Sequence, residues 1–185
     1  MSSVYIVIDT ETTGSKPLKG DRIIEIAAFP IYKNKIYYEL MFHTLVNPEI
    51  KIPAQISGIH GLKDRDVSDK PTMFEIYPQL RNYLGDSIIV GHSIFSDLKF
   101  FDISAKETGE FPINNRFIDT LELSQLVFKK GPYNLYTISK RLKIKDKPTH
   151  RALDDARVTA KVFLALKNKI GGSKAIKQYE YQWRG

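Results

Sequence analysis

The sequence feature that most restricts the fold is an apolar run near the N-terminus that ends abruptly in an acid. Residues 4–8 read Val-Tyr-Ile-Val-Ile, and Asp9 follows directly. A strand that is apolar at nearly every position is typical of one buried on both faces, at the centre of a sheet that helices cover. An acid at the end of such a strand is costly unless its charge is compensated. The fold therefore has to bring a compensating group to Asp9.

Strands come first in the sequence and then alternate with helices, which predicts an α/β fold with a mixed central sheet flanked by helices. After the strand at 4–8, further strands are predicted at 23–29, 36–46, 87–90 and 117–118. The first three strands are expected to form an antiparallel meander. Helices are predicted at 71–84, 96–106, 121–128, 135–142 and 151–169, with a short helical turn at 54–57. Ser68 or Asp69 is the expected cap of the helix at 71–84, and Gly109 is expected to end the next one.

Length and composition indicate one domain. The chain has 185 residues, 42% of them hydrophobic and 26% charged, so it can bury a sizeable core. We expect a domain at residues 1–170 and a C-terminal tail at 171–185, whose aromatic residues more often pack on a domain than bind a partner. No apolar run approaches the ~18 residues of a membrane span, and residues 1–9 do not resemble a secretion signal. We therefore expect no membrane association and a cytoplasmic location.

Any metal must be held by oxygen or imidazole, because the sequence contains no cysteine. The formal net charge is +7, which favours either binding to polyanions or general solubility. Residues 129–151 carry eight Lys or Arg residues against one acid, Asp146, and this stretch ends next to His150. A solvated charged face remains an alternative, but a surface that collects phosphates beside a reactive site is the favoured interpretation.

Four acids lie where strands end or helices begin. Asp9 and Glu11 leave the first strand at i and i+2, and therefore on one side of it. Asp97 and Asp155 each fall in the first turn of a predicted helix. Such positions converge on one crevice of an open α/β sheet. Close carboxylates repel by about 4 kcal/mol per pair at an effective dielectric near 20. Divalent cations offset this repulsion, and oxygen ligands without thiolate select Mg²⁺ or Mn²⁺.

His150 precedes Asp155 by five residues. On a helix that began at His150 the two side chains would point about 140° apart. A helix that begins at the corner 149–151 instead leaves His150 free to reach the cavity that Asp155 faces. A histidine beside a metal-binding carboxylate suits the role of general base.

Three segments resemble the motifs of the DEDDh exonuclease family, and in particular its epsilon-type proofreading members. These segments are Asp9-Thr-Glu11-Thr-Thr-Gly, Gly91-His-Ser-Ile-Phe-Ser-Asp97 and His150-Arg-Ala-Leu-Asp-Asp155-Ala. They occur in the family's order and extend over nearly the whole chain. The resemblance implies a ribonuclease-H-like fold. It also implies metal-dependent 3′→5′ removal of nucleoside 5′-monophosphates, with single-stranded DNA 3′ ends as the preferred substrate.

The resemblance also assigns roles to residues. Asp9, Glu11 and Asp155 would hold a first Mg²⁺ or Mn²⁺ ion, Asp9 with Asp97 a second, and His150 would be the general base. The substrate side involves the backbone of Thr10 and Thr12, which would lie against the terminal nucleotide. His60, in a glycine-flanked loop, is expected to serve structure, with an approach to the substrate as the alternative.

The second motif departs from the family pattern. The family usually has Asn after the histidine and Phe directly before the aspartate, whereas Ser93 and Ser96 occupy those positions here and Phe95 is shifted by one. Asp97 is retained, so the chemistry is expected to persist with an altered pocket for the terminal base.

Two other functions fit the same resemblance. An exoribonuclease of the family would use the same five residues, and a non-catalytic nucleic-acid-binding module would keep the fold. Epsilon-type proteins usually carry an extension that tethers them to a replicative polymerase. Either the segment 173–185 is a reduced tether, or the protein acts alone.

Overall fold

Seven strands form one mixed sheet in the computed structural model, which describes residues 3–184. The strands are β1 (Tyr5–Thr12), β2 (Ile23–Tyr32), β3 (Lys35–Ile36), β4 (Phe42–Leu45), β5 (Ile88–Gly91), β6 (Arg116–Asp119) and β7 (Tyr181–Gln182). Their order is β3-β2-β1-β5-β6-β7, with β4 also paired to β2. Strands β1, β5 and β6 are parallel, and the other pairs are antiparallel. The predicted mixed sheet is confirmed.

Eight helices lie within residues 3–184, and six of them are where the sequence predicts a helix or a helical turn. The eight are α1 (Ala54–His60), α2 (Asp64–Val67), α3 (Met73–Leu84), α4 (Phe95–Thr108), α5 (Thr120–Val127), α6 (Leu135–Arg141), α7 (Ala152–Ile170) and α8 (Gly172–Ile176). Gly109 ends α4 in a left-handed conformation, as expected (φ 71°). None of the helices within residues 3–184 is long and apolar enough to cross a membrane.

Strand β1 is buried on both faces and divides the core in two. Ile6 and Ile8 pack with side chains of α3 and α4, whereas Tyr5 and Val7 pack with side chains of α5, α6 and α7. Successive side chains of a strand alternate between its faces. The alternation therefore directs the odd-numbered acids at the end of β1 toward α7, and it directs Thr10 toward α4.

The prediction of one continuous strand at 36–46 is wrong. The chain pairs with β2 at Ile36 and again from Phe42, but a 3₁₀ turn at Tyr38–Leu40 separates the two segments. The hydroxyl of Tyr83 on α3 donates a hydrogen bond to the carbonyl of Leu40 (2.8 Å), which holds the turn away from the sheet. A pattern of alternating residues does not reveal such a distant contact.

The cap of α3 also differs from the prediction. Thr72 caps the helix in a reciprocal arrangement with Glu75, whose carboxylate accepts a hydrogen bond from the Thr72 N–H (2.9 Å). Ser68 instead closes the short helix α2, because its N–H donates to the carbonyl of Asp64 (2.9 Å). A Thr-x-x-Glu box satisfies two free N–H groups at once, so it outweighs a single serine or aspartate further upstream.

The segment after Gly171 packs on the sheet. Strand β7 pairs with β6, and the Trp183 indole N–H donates to Asp102 (2.9 Å). The ring of Trp183 also lies 6.0 Å from that of Phe117. These contacts confirm that the aromatic residues of the tail pack on the domain. A boundary of the folding unit at residue 170 stays a prediction, which thermal unfolding of a chain truncated there tests.

Candidate active site

Three of the four predicted acids meet at the ends of β1 and α7. Asp9 and Glu11 lie within β1, which continues to Thr12 instead of ending at residue 8 as predicted, and their side chains face α7. Asp155 lies in the first turn of that helix. Each offers a carboxylate oxygen, and these oxygens lie within 4.8 Å of one another. Within residues 3–184, this is the one group of three or more His, Asp or Glu side chains close enough to share an ion. The spatial convergence expected from the sequence is therefore present for these three residues.

Asp97 reaches the same region from the other face of the sheet. It lies in the first turn of α4, and its carboxylate accepts a hydrogen bond from the Thr10 hydroxyl (2.6 Å). Asp97 is not in the group of three, but its charge acts on Asp9 more strongly than that of any other residue. Asp9 thus lies between the two halves of the cluster.

The four carboxylates have elevated pKa values. Burial is the largest cause for each of them, and it raises the pKa of Glu11 to about 8 and that of Asp97 to about 7. The pKa values of Asp9 and Asp155 are also raised. Repulsion among the acids adds to the effect at Asp9 and Glu11. The cluster consists of oxygen donors whose charge the protein leaves largely uncompensated, so it fits hard divalent cations.

His150 lies at the corner where α7 begins. The helix starts at Ala152, and the N–H of Thr149 donates to the carboxylate of Asp155 (2.8 Å). His150 is exposed, and its positive charge, when present, lowers the pKa of Asp155. The corner expected from the sequence is confirmed, while the role of His150 as a base stays a prediction.

The carboxylate of Glu25 on β2 belongs to a network that the sequence analysis missed. It is fully buried, yet it accepts hydrogen bonds from Arg151 Nε (2.9 Å) and Nη2 (3.0 Å) and from His43 Nε2 (2.9 Å). Burial alone would raise the pKa of Glu25, but these hydrogen bonds outweigh it and lower the pKa to about 2. The signal was present in the sequence, because Glu25 interrupts the apolar strand 23–29 just as Asp9 ends an apolar strand.

His60 is the last residue of α1 and is 4% exposed. Its Nδ1 accepts a hydrogen bond from the N–H of Leu62 (3.0 Å), which leaves the ring hydrogen on Nε2 when the ring is neutral. Burial lowers the pKa of His60 and so favours the neutral ring. Nε2 is buried and has no partner within the described part of the chain. The expected contact with substrate stays a prediction.

Thr10 and Thr12 flank Glu11 on β1. The Thr10 hydroxyl is engaged by Asp97, and the Thr12 hydroxyl donates to the carbonyl of Gly14 (2.6 Å). Their predicted backbone contacts to a nucleotide stay predictions.

The second motif is held by a residue whose role the sequence left open. Asp119, at the end of β6, accepts hydrogen bonds from the N–H groups of Ser93 (2.8 Å) and Leu121 (2.9 Å). Ser93 is left-handed (φ 61°), a conformation that asparagine adopts more readily. The ring of Phe95 lies 5.1 Å from that of Phe117 and 6.0 Å from that of Trp183. The shifted phenylalanine therefore packs with the C-terminal segment.

The basic stretch faces solvent. All of its Lys and Arg side chains from Lys129 to Lys147 are exposed, and its single acid, Asp146, is paired with Lys161 (2.5 Å). Positive charge is therefore displayed along the segment that leads to His150.

Comparison with known proteins links this arrangement to nucleases. Residues 6–163 match the family described as exonuclease (RNase_T). The chain is 37% identical over 175 residues to the DNA polymerase III PolC-type protein of Thermotoga maritima, covering 93% of this chain and 13% of that protein. It is 34% identical over 174 residues to the DNA polymerase III subunit epsilon of Rickettsia typhi, covering 90% of this chain and 75% of the subunit.

A solved structure shares the fold. Exonuclease X, in complex with 5′-overhanging duplex DNA, superposes with a TM-score of 0.74 at 25% sequence identity. The match covers 95% of this chain and 97% of that one, so the ribonuclease-H-like fold predicted from the sequence is confirmed.

Proposed function

We propose that this chain, which belongs to the exonuclease family, is a metal-dependent 3′→5′ exonuclease that releases nucleoside 5′-monophosphates from DNA 3′ ends. The observation that carries the proposal is the meeting of Asp9, Glu11 and Asp155, whose oxygens lie within 4.8 Å of one another. Clustered, partly buried acids with raised pKa values are typical of functional sites. The relatives' names as DNA polymerase III components support DNA as the substrate.

The residues fit two divalent cations, Mg²⁺ or Mn²⁺. Asp9, Glu11 and Asp155 would hold one of them, and Asp9 with Asp97 the other. When bound, such a pair supplies charge stabilisation at the scissile phosphate and lowers the pKa of the attacking water. The raised pKa values of the carboxylates agree with this assignment, since a cation is the charge that would allow all of them to ionise together.

His150 accepts the proton of the attacking water in this proposal. Its side chain is exposed at the rim of the cluster and lies close enough to Asp155 to affect the pKa of that carboxylate. An imidazole can hold that proton near neutral pH, whereas an ionised carboxylate that binds a cation is a poor base.

The remaining predicted residues orient the substrate. The backbone of Thr10 and Thr12 lies beside the cluster and would contact the terminal nucleotide. His60 would approach that nucleotide only if its Nε2–H, which is buried and without a partner among residues 3–184, became accessible when the nucleotide binds. The exposed lysines of residues 129–147 would attract the phosphate backbone, so we expect weaker binding at higher salt.

The test is digestion of a 5′-labelled single-stranded DNA by the wild-type protein and by Asp9→Ala. We expect a ladder that shortens from the 3′ end with Mg²⁺ or Mn²⁺, stops with EDTA and resumes when the metal is restored. Equal nucleotide release by purified Asp9→Ala would show that the cluster is not the active site. A protein that binds the DNA but never shortens it would be a binding module instead.

We further propose that the activity serves proofreading in the cytoplasm, beside a replicative polymerase. The epsilon subunit and the PolC-type protein that this chain resembles support this role. A proofreading enzyme removes a mismatched 3′ terminus faster than a paired one, because the terminal base pair must open first. Primer–template digestion with matched and mismatched ends measures this difference. An RNA oligonucleotide of the same sequence, compared by kcat/KM, distinguishes the exoribonuclease alternative.

A further inference from the structure

We infer that Glu25 and Arg151 are positioning residues, which fix the direction of His150 over the carboxylate cluster without touching the substrate. The inference rests on the proposed function, because it concerns how the general base is held. Its basis is the geometry of the chain on both sides of His150.

The backbone of His150 has an unusual conformation. This residue has a φ of 58°, in the left-handed region that residues with a side chain adopt at a cost. A conformation of this kind persists only when neighbouring contacts enforce it. The contacts on each side of His150 therefore determine where its imidazole points.

Hydrogen bonds on both sides of His150 hold the chain in this conformation. On one side, the Thr149 N–H donates to Asp155 (2.8 Å). On the other side, Arg151 donates twice to Glu25 through Nε (2.9 Å) and Nη2 (3.0 Å). The N–H of Ala152 donates to the same carboxylate (3.1 Å). His150 is thus held between a metal-site carboxylate and a structural one.

The N-terminus of α7 is capped by a residue of another element. Arg151 is the N-cap of this helix, and its own side chain makes no capping hydrogen bond. Glu25 supplies the missing acceptor from strand β2, and its negative charge also suits a helix N-terminus. Because Glu25 lies on a central strand and is completely buried, it provides a rigid reference point for the corner.

The contacts of Arg151 indicate a positioning role rather than substrate binding. Two of its guanidinium nitrogens bind Glu25, and this two-point contact depends on the planar fork of arginine. Lysine would keep the charge but lose the second hydrogen bond, so Arg151→Lys loosens the corner while a positive charge remains.

The experiment is a double-mutant cycle between Arg151→Lys and His150→Ala, measured as steady-state kcat and KM for digestion of a DNA oligonucleotide. We expect Arg151→Lys alone to lower kcat by about 10- to 100-fold with little change in KM, as is usual for groups that orient a functional side chain. In the His150→Ala background the same change should cost less than about twofold, since nothing remains to be positioned. Costs that multiply in the double variant would overturn the inference.

A second readout does not depend on activity. Calorimetric titration with Mn²⁺ alone should give the same affinity for the wild-type protein and Arg151→Lys, because the carboxylates stay in place. A weakened Mn²⁺ affinity would instead assign Arg151 to the support of the metal site. Arg157→Lys is the matched control, because Arg157 lies on the same helix but pairs with the partly exposed Asp154 (3.0 Å), and its kcat should be unchanged.

If Arg151→Lys does not fold, Glu25→Gln takes its place in the same cycle, since an amide keeps the shape and weakens the pairing. A wild-type protein without nuclease activity would defeat the proposed function. An active wild-type protein with a fully active Arg151→Lys would defeat this inference alone.

Discussion

Two glutamates that face each other across adjacent strands have opposite properties. Glu11 on β1 is paired in register with Glu25 on β2. Burial and neighbouring acids raise the pKa of Glu11 to about 8, whereas hydrogen bonds from His43 and Arg151 outweigh burial and lower the pKa of Glu25 to about 2. The same residue type, one strand apart, is therefore hard to ionise in one place and ionised down to low pH in the other.

The difference in pKa indicates different roles for the two carboxylates. The charge of Glu25 is compensated by the protein itself, which suits a structural role in joining β2 to the start of α7. Glu11 belongs to a group whose members repel one another, so it keeps a proton unless a compensating cation comes from outside the protein. Substitutions at the two kinds of acid, and a change of pH or metal, should therefore have opposite consequences.

The largest effect is expected for Asp9→Asn. Nucleotide release should fall by about 10³-fold or more, since metal ions contribute several kcal/mol to charge stabilisation in such reactions. In EDTA at pH 8 the same variant should melt at a higher temperature than the wild-type protein, because one repelling charge is gone. Exonuclease assays and thermal unfolding measure the two effects, and a variant that is less stable in EDTA would contradict the account of the cluster.

Glu25→Ala should change stability in the opposite direction. Removing one partner of a buried ion pair costs about 3–5 kcal/mol. We expect the lower end, about 3 kcal/mol, because the Arg151 side chain is 38% exposed and water partly compensates it. Urea unfolding measures the loss. Glu25→Gln serves as the control and should lose less, and an unchanged stability of Glu25→Ala would remove the contrast.

A pH titration of the metal-free protein separates the two kinds of acid. The pKa values of Glu11 and Asp97 are raised from 4.5 and 3.8 to about 8 and about 7. The folded state therefore binds these protons more tightly than the unfolded chain, and stability should fall as the pH rises from about 4 to about 8. The pKa of Glu25 is lowered to about 2, so its contribution is instead lost as the pH falls from 4.5 through about 2.

Added Mn²⁺ should raise the melting temperature more at pH 8 than at pH 6, since the ion replaces protons that the cluster otherwise retains. Differential scanning calorimetry with EDTA or Mn²⁺ tests this point. An equal shift at both pH values would mean that the cation does not bind these carboxylates.

The smallest effect is expected at Asp154, directly beside Asp155. Its carboxylate pairs with Arg157 three residues along the helix and accepts a hydrogen bond from the Thr149 hydroxyl (2.8 Å), and the amide oxygen of asparagine can still accept that hydrogen bond. Asp154→Asn should change stability by about 0.5 kcal/mol or less and kcat by less than about twofold, because surface ion pairs contribute little. A large loss of activity in this variant would show that proximity to the site, rather than membership of the cluster, determines function.

The elements that the sequence predicted correctly have strong local signals. The doubly buried β1 follows from an apolar run, and the end of α4 follows from Gly109. The elements it predicted wrongly depend on distant contacts. Tyr83 holds the turn that interrupts the strand expected at 36–46, and Thr72 caps α3 together with Glu75.

In the candidate site, too, the residues with local sequence signals were predicted and those that depend on distant contacts were not. Motif spacing identified Asp9, Glu11, Asp97 and Asp155, because each lies at the end of a strand or the start of a helix that the local pattern predicts. It left open the role of Asp119, which holds the second motif through Ser93, because one acid at a strand end has many possible partners.

Local sequence patterns alone set which side chains are available for chemistry and place them at strand and helix ends along one edge of the sheet. The face on which each acid lies depends on folding, which places Asp155 on the face of Glu11 and Asp97 on the other side. Folding also determines which carboxylates have their charge compensated, because Arg151, the partner of Glu25, lies 126 residues further along the chain. The ionisation of a buried carboxylate depends on the donors and charges within a few ångströms, and folding brings these together from distant parts of the sequence.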